Sequence, residues 1–159
     1  MFKVIILILT VGTVKAGLSA GCPDGWLTHG GMCYLFSHGR EDWPGSYEMC
    51  KIMGGQLVEI ESAAENNYIE LQAKPSNYWI GLSDDSEEGS WVWMSSQTPL
   101  AATYYTNWFR NEPSRFIDGE PENCVEMYTH LGGEWNDAPC TNFKNYICEK
   151  ALGSSVIIG

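Results

Sequence analysis

The stretch NEPSRFIDGEPENCVE, residues 111–126, concentrates acidic side chains of the kind that bind divalent cations. Two glutamates, Glu112 and Glu120, each precede a proline, and a third, Glu122, lies shortly before a cysteine. Further along the chain, Asn136-Asp137 adds an amide and another carboxylate. Calcium takes about six to eight oxygen ligands, mostly from carboxylates and from amide or backbone carbonyls. These residues therefore predict a Ca²⁺ site, provided that the fold brings the two segments together.

The sequence lacks the motifs of common catalytic and zinc chemistry. It contains no His-Glu-x-x-His or Gly-x-Ser-x-Gly pattern and no Cys/His arrangement typical of a nucleophile. A Zn²⁺ site is not expected either, because there is no Cys-x-x-Cys pair and the histidines are scattered. The sequence thus favours a binding protein over an enzyme.

The N-terminal residues and the cysteines together indicate export. Residues 1–16 combine an early lysine with an apolar run, which is typical of a secretory signal peptide cleaved after Ala16 or as late as Ala20. The apolar run is far shorter than the roughly 20 residues that span a bilayer, so membrane insertion is not expected. Six cysteines follow, and an even number in an exported chain predicts three disulfides, with the pairing left open by the count alone. We therefore expect a secreted, extracellular protein.

The net charge limits the choice of partners. Loss of residues 1–16 would remove Lys3 and Lys15 and no acid, so the formal net charge would change from −11 to −13. Such a surface repels nucleic acid and anionic lipid and suits divalent cations or basic partners. Simple solubility is the alternative explanation of the same acidity.

Local patterns predict two helices in the first half of the chain. The first runs from about Trp43 to Met53, with Asp42 as its cap, a proline in its first turn and two glycines after it. The second covers residues 63–73, because Ser62 and Glu65 form a Ser-x-x-Glu capping pattern and Pro75 follows.

Strand-like patterns dominate the remainder. Predicted strands lie at residues 32–36 (as an edge strand), 56–60, 78–82, 90–94, 122–128 and 145–150, and a Gly-Gly turn leads into WNDAPC, 135–140. Between Ser95 and Gly119 the sequence has little periodicity, which is typical of a functional loop. These elements predict one α+β domain at residues 22–150 followed by a short tail, 151–159.

Taken in order, the cysteines, YWIGL (78–82), the aperiodic stretch, Cys124-Val125-Glu126 and Trp135-Asn136-Asp137 resemble a C-type lectin domain of the long form. A short exported chain of one such domain is similar to soluble invertebrate lectins, including the perlucin-like proteins of molluscs. The resemblance implies the disulfides Cys22–Cys33, Cys50–Cys148 and Cys124–Cys140. The last of these would bring Glu122 and Asn136-Asp137 side by side.

The resemblance also implies a sugar site. Glu112-Pro113-Ser114 matches the family's Glu-Pro-Asn or Gln-Pro-Asp triplet, with Pro113 in the cis form, and Glu122 matches the second acid. Ca²⁺ would be held by Glu112, Ser114, Glu122, Asn136 and Asp137, and the same residues would bind sugar hydroxyls, with Asn136 as an amide donor. Glu120 is assigned to the rim of the loop. A Glu-Pro triplet implies mannose, glucose, N-acetylglucosamine or fucose, although Ser114 stands where the family has an amide or an acid.

A second family calcium site is a further candidate. Asp84 and Glu88 match two of its acids, but Arg115 stands where an acid is usual. A solvated acidic turn is the alternative for the run from Asp84 to Glu88.

Three functions remain open at the level of sequence. The resemblance implies a calcium-dependent lectin that binds glycans on microbial or self surfaces, agglutinates cells through a homo-oligomer and serves innate immunity. The alternatives are an acidic extracellular-matrix or shell-biomineralisation protein, and a fold-only domain whose calcium site has decayed.

Overall fold

The computed structural model describes residues 21–153. The predicted signal peptide, 1–16, and residues 154–159 of the predicted tail lie outside the described residues. In chain order the elements are β1 (Leu27–His29), β2 (Met32–Phe36), α1 (Trp43–Ile52), β3 (Gln56–Leu57), α2 (Ala63–Gln72), β4 (Asn77–Ser83), β5 (Val92–Trp93), β6 (Thr98–Pro99), a short 3-10 helix (Leu100–Ala102), β7 (Phe116–Ile117), β8 (Glu120–Pro121), β9 (Cys124–Tyr128), β10 (Glu134–Ala138) and β11 (Asn145–Ala151).

Both helices begin at the capping residues that the sequence predicts. The Asp42 carboxylate accepts a hydrogen bond from the N–H of Gly45 at 2.8 Å at the start of α1. At the start of α2, the Ser62 hydroxyl accepts one from the N–H of Glu65 at 3.2 Å. The Glu65 carboxylate in turn accepts a bond from the N–H of Glu61 at 3.0 Å, one residue before the cap. The two predicted helices are confirmed.

Strand β11 connects two parts of the sheet. On one side it pairs antiparallel with β2, which pairs with β1, and β3 also pairs with β11. On the other side it runs parallel to β4, which pairs antiparallel with β5 and β9. β6 continues the sheet beyond β5, and β10 continues it beyond β9. The sheet is therefore mixed, and β2 was wrongly predicted as an edge strand because it lies between β1 and β11.

Three predicted strands are shorter than their sequence patterns suggest. Residues 90–94 form a strand only at Val92–Trp93, and residues 122–128 only at Cys124–Tyr128. Of residues 56–60 only Gln56–Leu57 form a strand, because Val58 divides its hydrogen bonds between two neighbours. Its N–H donates to Ile147 O at 3.0 Å, while its carbonyl accepts from Gly81 N at 2.8 Å. Val58 thus lies between β11 and β4 and joins them rather than extending a ladder. The segment 95–119 is largely irregular, as predicted.

Large aromatic side chains fill the core beneath the sheet. Strand positions predict that Trp79, Trp91, Trp93 and Trp135 belong to the core, and all but Trp91, which is half-buried, are fully buried. All three implied disulfides are present: Cys22–Cys33, Cys50–Cys148 and Cys124–Cys140. The second joins α1 to β11, and the third joins the start of β9 to the segment after β10. In the described part of the chain, no helix is long and apolar enough to cross a membrane.

Candidate functional site

Strands β9 and β10 place one half of the candidate site. They pair antiparallel with Asn136 opposite Glu126 and Asp137 opposite Val125. Asp137 is fully buried, and Asn136 is only partly covered. The Cys124–Cys140 disulfide closes the same end of the pair, with its Cα atoms 5.1 Å apart. The predicted approach of the two segments is confirmed.

The long loop supplies the other half and is fastened to β10. The N–H of Phe109 donates to Trp135 O, and the N–H of Trp135 donates to Asn107 O, each at 2.7 Å. Between them, the Trp108 ring packs edge-on against Trp135, with ring centroids 5.9 Å apart. These contacts make Trp108 part of the packing rather than a free sugar platform, and they bring Glu112 next to the end of β10. The Glu112-Pro113 bond is cis, as the resemblance implies.

Ser114 links the two halves. Its N–H donates to both carboxylate oxygens of Asp137, at 3.0 and 2.8 Å, and its hydroxyl donates to Glu122 Oε2 at 2.9 Å. The N–H of Arg115 gives Asp137 a further bond at 2.9 Å. We call Glu112, Ser114, Glu122 and Asp137 the loop cluster. The structure thus brings together four of the five predicted site residues around one serine.

The loop cluster concentrates negative charge that the protein does not neutralise. Glu122 is 4% exposed, and Glu112 Oε2 is buried with no hydrogen-bond partner in the described residues. Burial raises the pKa of Glu112, and the neighbouring Asp137 raises it further, although the Ser114 contact lowers it. Burial also raises the pKa of Glu122. Within residues 21–153 none of the three acids forms a salt bridge, so a cation would be stabilised here.

The acids do not by themselves form a complete metal centre. Among residues 21–153, no three acidic, histidine or cysteine side chains are arranged so that they could hold a metal ion. Backbone N–H groups also occupy the Asp137 carboxylate. Calcium can use neutral oxygens as well: the Ser114 hydroxyl contacts Glu122, and the Asn136 amide lies at Glu126 on the paired strand. The donor set therefore suits Ca²⁺ when these neutral oxygens are included.

Asn136 differs from its expected role. Its amide nitrogen donates to Glu126 Oε1 at 3.1 Å and to the carbonyl of Asp137 at 2.5 Å. Both N–H bonds of the amide are therefore used within the protein, and the side-chain oxygen is left as the group available to a ligand. In this arrangement Asn136 fits a calcium ligand better than a donor to sugar.

Sequence reasoning missed the pair of residues that holds Asn136. Glu126 is 2% exposed, and Lys144 Nζ lies 2.9 Å from its Oε2, in a geometry that makes an ion pair rather than a hydrogen bond. Lys144 precedes β11 and is distant in sequence from β9, so no local pattern connects them. The available signal was the acid at Glu126, directly opposite Asn136 in the predicted strand pair.

Glu120 lies apart from the loop cluster. It belongs to β8, which pairs with β7 in a two-stranded hairpin, and its side chain is exposed. Phe116 and Ile117 on the same hairpin are also exposed. This position agrees with the assignment of Glu120 to the rim.

The residues of the candidate second site have other partners. Asp84 is 2% exposed, and its Oδ2 accepts from the N–H of Gly89 at 2.7 Å while Oδ1 has no partner in the described residues. Burial raises the pKa of Asp84, the Gly89 bond lowers it, and the charge of Glu88 raises it. Glu88 Oε1 lies 3.3 Å from Arg115 Nε. A guanidinium therefore lies beside this acidic turn.

Comparisons with known proteins identify the fold. Residues 39–150 match the family model described as Lectin C-type domain. The CD209 antigen of Homo sapiens is 40% identical over 135 residues, which is 84% of this chain and 32% of that protein. The chain spans about a third of the length of the first relatives that it matches.

Two solved structures show the same architecture. The carbohydrate-recognition domain of the mouse scavenger receptor C-type lectin has a TM-score of 0.76 and 31% identity, over 84% of this chain and all of that one. The carbohydrate-recognition domain of cow CD23, crystallised in the presence of a GlcNAc2Man3 oligosaccharide, has a TM-score of 0.75 and 34% identity, over 84% of this chain and 98% of that one. This chain, with its three disulfides and its loop fastened to β10, belongs to the C-type lectin domain family.

Proposed function

We propose that the chain is a secreted, calcium-dependent carbohydrate-binding protein whose site is the loop cluster together with Asn136. The observation that carries this proposal is the buried Glu112 Oε2, which has no hydrogen-bond partner among residues 21–153. A buried carboxylate oxygen without a donor costs free energy unless a ligand satisfies it. Glu122 and Asp137 add two more carboxylates, and a divalent cation would offset their charge. Membership of a family of carbohydrate-recognition domains supports the same conclusion.

The residues that would hold the ion differ in the oxygen atoms that they offer and in the contacts that orient them. Glu112 and Glu122 offer carboxylate oxygens, Ser114 a hydroxyl and Asn136 its amide carbonyl. The Asn136 amide nitrogen donates to Glu126, which also forms an ion pair with Lys144. The amide oxygen of Asn136 therefore stays available to an ion. The Asp137 carboxylate lies at the loop, where it accepts hydrogen bonds from the N–H groups of Ser114 and Arg115. Bound calcium would supply coordination positions that neighbouring sugar hydroxyls can complete.

The sugar class that we propose follows from the resemblance of Glu112-Pro113-Ser114 to the family's triplet. Glu112 and Glu122 would accept hydrogen bonds from two adjacent hydroxyls of one sugar ring, and charged acceptors make the stronger bonds of this kind. The Glu-Pro form of the triplet favours mannose, glucose, N-acetylglucosamine or fucose over galactose. The cow CD23 domain was studied with an oligosaccharide that contains mannose, which agrees with this preference.

The biological setting that we propose is recognition of glycans on microbial or self surfaces, in innate immunity. A single site binds one sugar weakly, so agglutination would require self-association, which raises avidity without a new contact. No catalytic step is proposed.

Isothermal titration tests the proposal directly. Calcium is titrated first, and then methyl mannoside or methyl galactoside is titrated with calcium or with chelator present. We expect calcium binding, mannoside binding that disappears in chelator, and weaker binding of the galactoside. Mannoside binding that survives in chelator, or a protein that binds no calcium, would overturn the proposal.

Three glutamine variants locate the site on the chain. Glu122→Gln removes a buried charge of the loop cluster and should abolish both calcium and mannoside binding. Glu120→Gln makes the same chemical change at an exposed residue on the neighbouring hairpin. It should alter calcium binding by only a few tenths of a kcal/mol, as is usual for a surface substitution. Loss of calcium in Glu120→Gln with retention in Glu112→Gln would show that the wrong Glu-Pro pair has been chosen.

A further inference from the structure

The turn at residues 84–89 faces the long loop through opposite charges. The turn carries four acids, and Arg115 approaches it from the loop, with Nε 3.3 Å from Glu88 Oε1. The guanidinium also lies near Gly89, since a Cβ placed on that glycine would lie 3.8 Å from an Arg115 terminal nitrogen. The N–H of the same glycine donates to Asp84. Arg115 thus lies against the turn at more than one point.

Two buried side-chain oxygens at or next to the 84–89 turn have no hydrogen-bond partner among the described residues. Asp84 Oδ1 and Asn123 Oδ1 are both buried and accept no hydrogen bond among the described residues. Asp84 is 2% exposed, so its carboxylate is held away from solvent. Oxygens of this kind, with Glu88 nearby, would suit a calcium ion. The Arg115 guanidinium, 3.3 Å from Glu88, disfavours such an ion because it has only donors and repels a second cation.

The backbone of Arg115 is also held in an uncommon conformation. Its φ is 75°, in the left-handed region that asparagine and aspartate adopt more readily than long side chains. Its N–H donates to Asp137 and its carbonyl accepts from the N–H of Glu122 at 2.9 Å. An arginine at this position therefore directs its side chain from the loop cluster across to the acidic turn.

We propose that the Arg115 guanidinium takes the place of a second calcium ion, joining the long loop to the 84–89 turn. The acids Asp84 and Glu88 then bind no metal, and the loop cluster holds the one calcium of the domain. The expected number of calcium ions bound by the wild-type protein rests on the proposed function. The role of Arg115 is tested separately, by the change in that number when Arg115 is substituted. The Arg115 guanidinium, rather than Ca²⁺, then supplies the positive charge at the candidate second site.

Calcium titration of the full-length protein and of Arg115→Asp tests this inference. The wild-type protein should bind one calcium, and the variant should bind two, because a guanidinium is replaced by an additional carboxylate beside Asp84 and Glu88. Adding Glu88→Gln to Arg115→Asp should remove the gained ion. Aspartate tolerates a positive φ better than arginine, so the variant should fold, and Arg115→Asn provides a neutral second variant for the same measurement.

A matched control separates local from general charge effects. Arg40→Asp makes the same change in net charge at an exposed residue between β2 and α1, and should leave the number of bound ions unchanged. Two calcium ions in the wild-type protein, or no gain in Arg115→Asp, would overturn the inference. If the wild-type protein binds none, the proposed function fails, and a gain of one ion in Arg115→Asp still upholds the role of Arg115.

Discussion

Two groups of buried or half-buried acids in this domain have opposite relations to their surroundings. The first, which we call the sheet cluster, consists of Glu59, Glu65 and Glu149 near the β2 and β11 end of the sheet. The second is the loop cluster at the end of β9 and β10. Glu149 and Glu122 are almost equally buried, at 3% and 4% exposure. Burial alone therefore does not distinguish them.

The sheet cluster satisfies its own carboxylates. Glu149 Oε1 accepts from Gln56 Nε2 at 3.1 Å and from the N–H of Glu59 at 2.9 Å. Glu59 Oε1 accepts from two consecutive backbone N–H groups, and Glu65 Oε1 accepts from the Tyr34 hydroxyl at 2.7 Å. Each acid accepts hydrogen bonds from other groups of the folded protein, so this cluster has a structural role.

The loop cluster leaves an acceptor open. Ser114 and Arg115 provide donors for Glu122 and Asp137, but Glu112 Oε2 has none in the described part of the chain. A carboxylate that the fold buries without a donor requires another source of positive charge. The comparison teaches that an unsatisfied oxygen with no protein cation nearby, rather than the number of buried acids, indicates where this domain would take up an ion.

The largest expected effect is a pH-dependent change in the free energy of unfolding that arises from Glu149 in the sheet cluster. Burial raises the pKa of Glu149 from 4.5 to about 8, and the charges of Glu65 and Glu59 add to it. Between these values the folded protein keeps a proton that the unfolded chain releases, so the free energy of unfolding falls as the pH rises through this window. Glu149→Gln should stabilise the protein at about pH 8 by up to about 4 kcal/mol and have little effect near pH 4.5.

Urea unfolding of both proteins across this range, in chelator, measures the difference. Chelator keeps the loop cluster from contributing through calcium, and Glu120→Gln serves as an exposed control. A stability difference between Glu149→Gln and the wild type that does not change with pH would show that Glu149 is already ionised at no cost in the fold.

A smaller expected effect is the stabilisation of the folded protein by calcium, which should depend on the loop cluster and not on the sheet cluster. An ion that binds only the native state adds RT ln(1 + [L]/Kd), about 2.7 kcal/mol at a hundredfold excess over Kd. We expect this stabilisation in the wild type and in Glu149→Gln, and its loss in Glu122→Gln. Thermal unfolding with calcium and with chelator measures it. Equal calcium stabilisation of Glu122→Gln and the wild type would remove the distinction between the clusters.

The features that the sequence predicted correctly are mainly local ones. The caps at Asp42 and Ser62 lie within three residues of the N–H groups that they accept, so a short window contains both partners. The disulfides came instead from the resemblance to a family, and the choice between the two Glu-Pro pairs stays a prediction from that resemblance. Pairing between distant cysteines depends on the fold, and their number alone left it open.

The features that the sequence could not predict join distant segments. Lys144 meets Glu126, and Arg115 meets Glu88, through side chains whose approach depends on loop paths. The orientation of the Asn136 amide follows from Glu126 and therefore could not be read from Trp-Asn-Asp alone. Val58 shortens a predicted strand for a similar reason, because it lies between two strands that are distant in sequence.

The smallest expected effect concerns Ser114, where the chain departs from its family. Ser114→Asn keeps the backbone N–H that donates to Asp137, and it replaces a hydroxyl by an amide that has both a carbonyl oxygen and N–H donors. The carbonyl adds a calcium ligand, and an N–H can take over the bond to Glu122. We expect calcium and mannoside to bind about tenfold more tightly, or about 1.4 kcal/mol. Ser114→Ala removes the hydroxyl without a replacement and should weaken both. In titrations of the two variants, equal or weaker binding by Ser114→Asn than by the wild type would mean that the short serine side chain already fits this loop, and that position 114 is not what limits affinity.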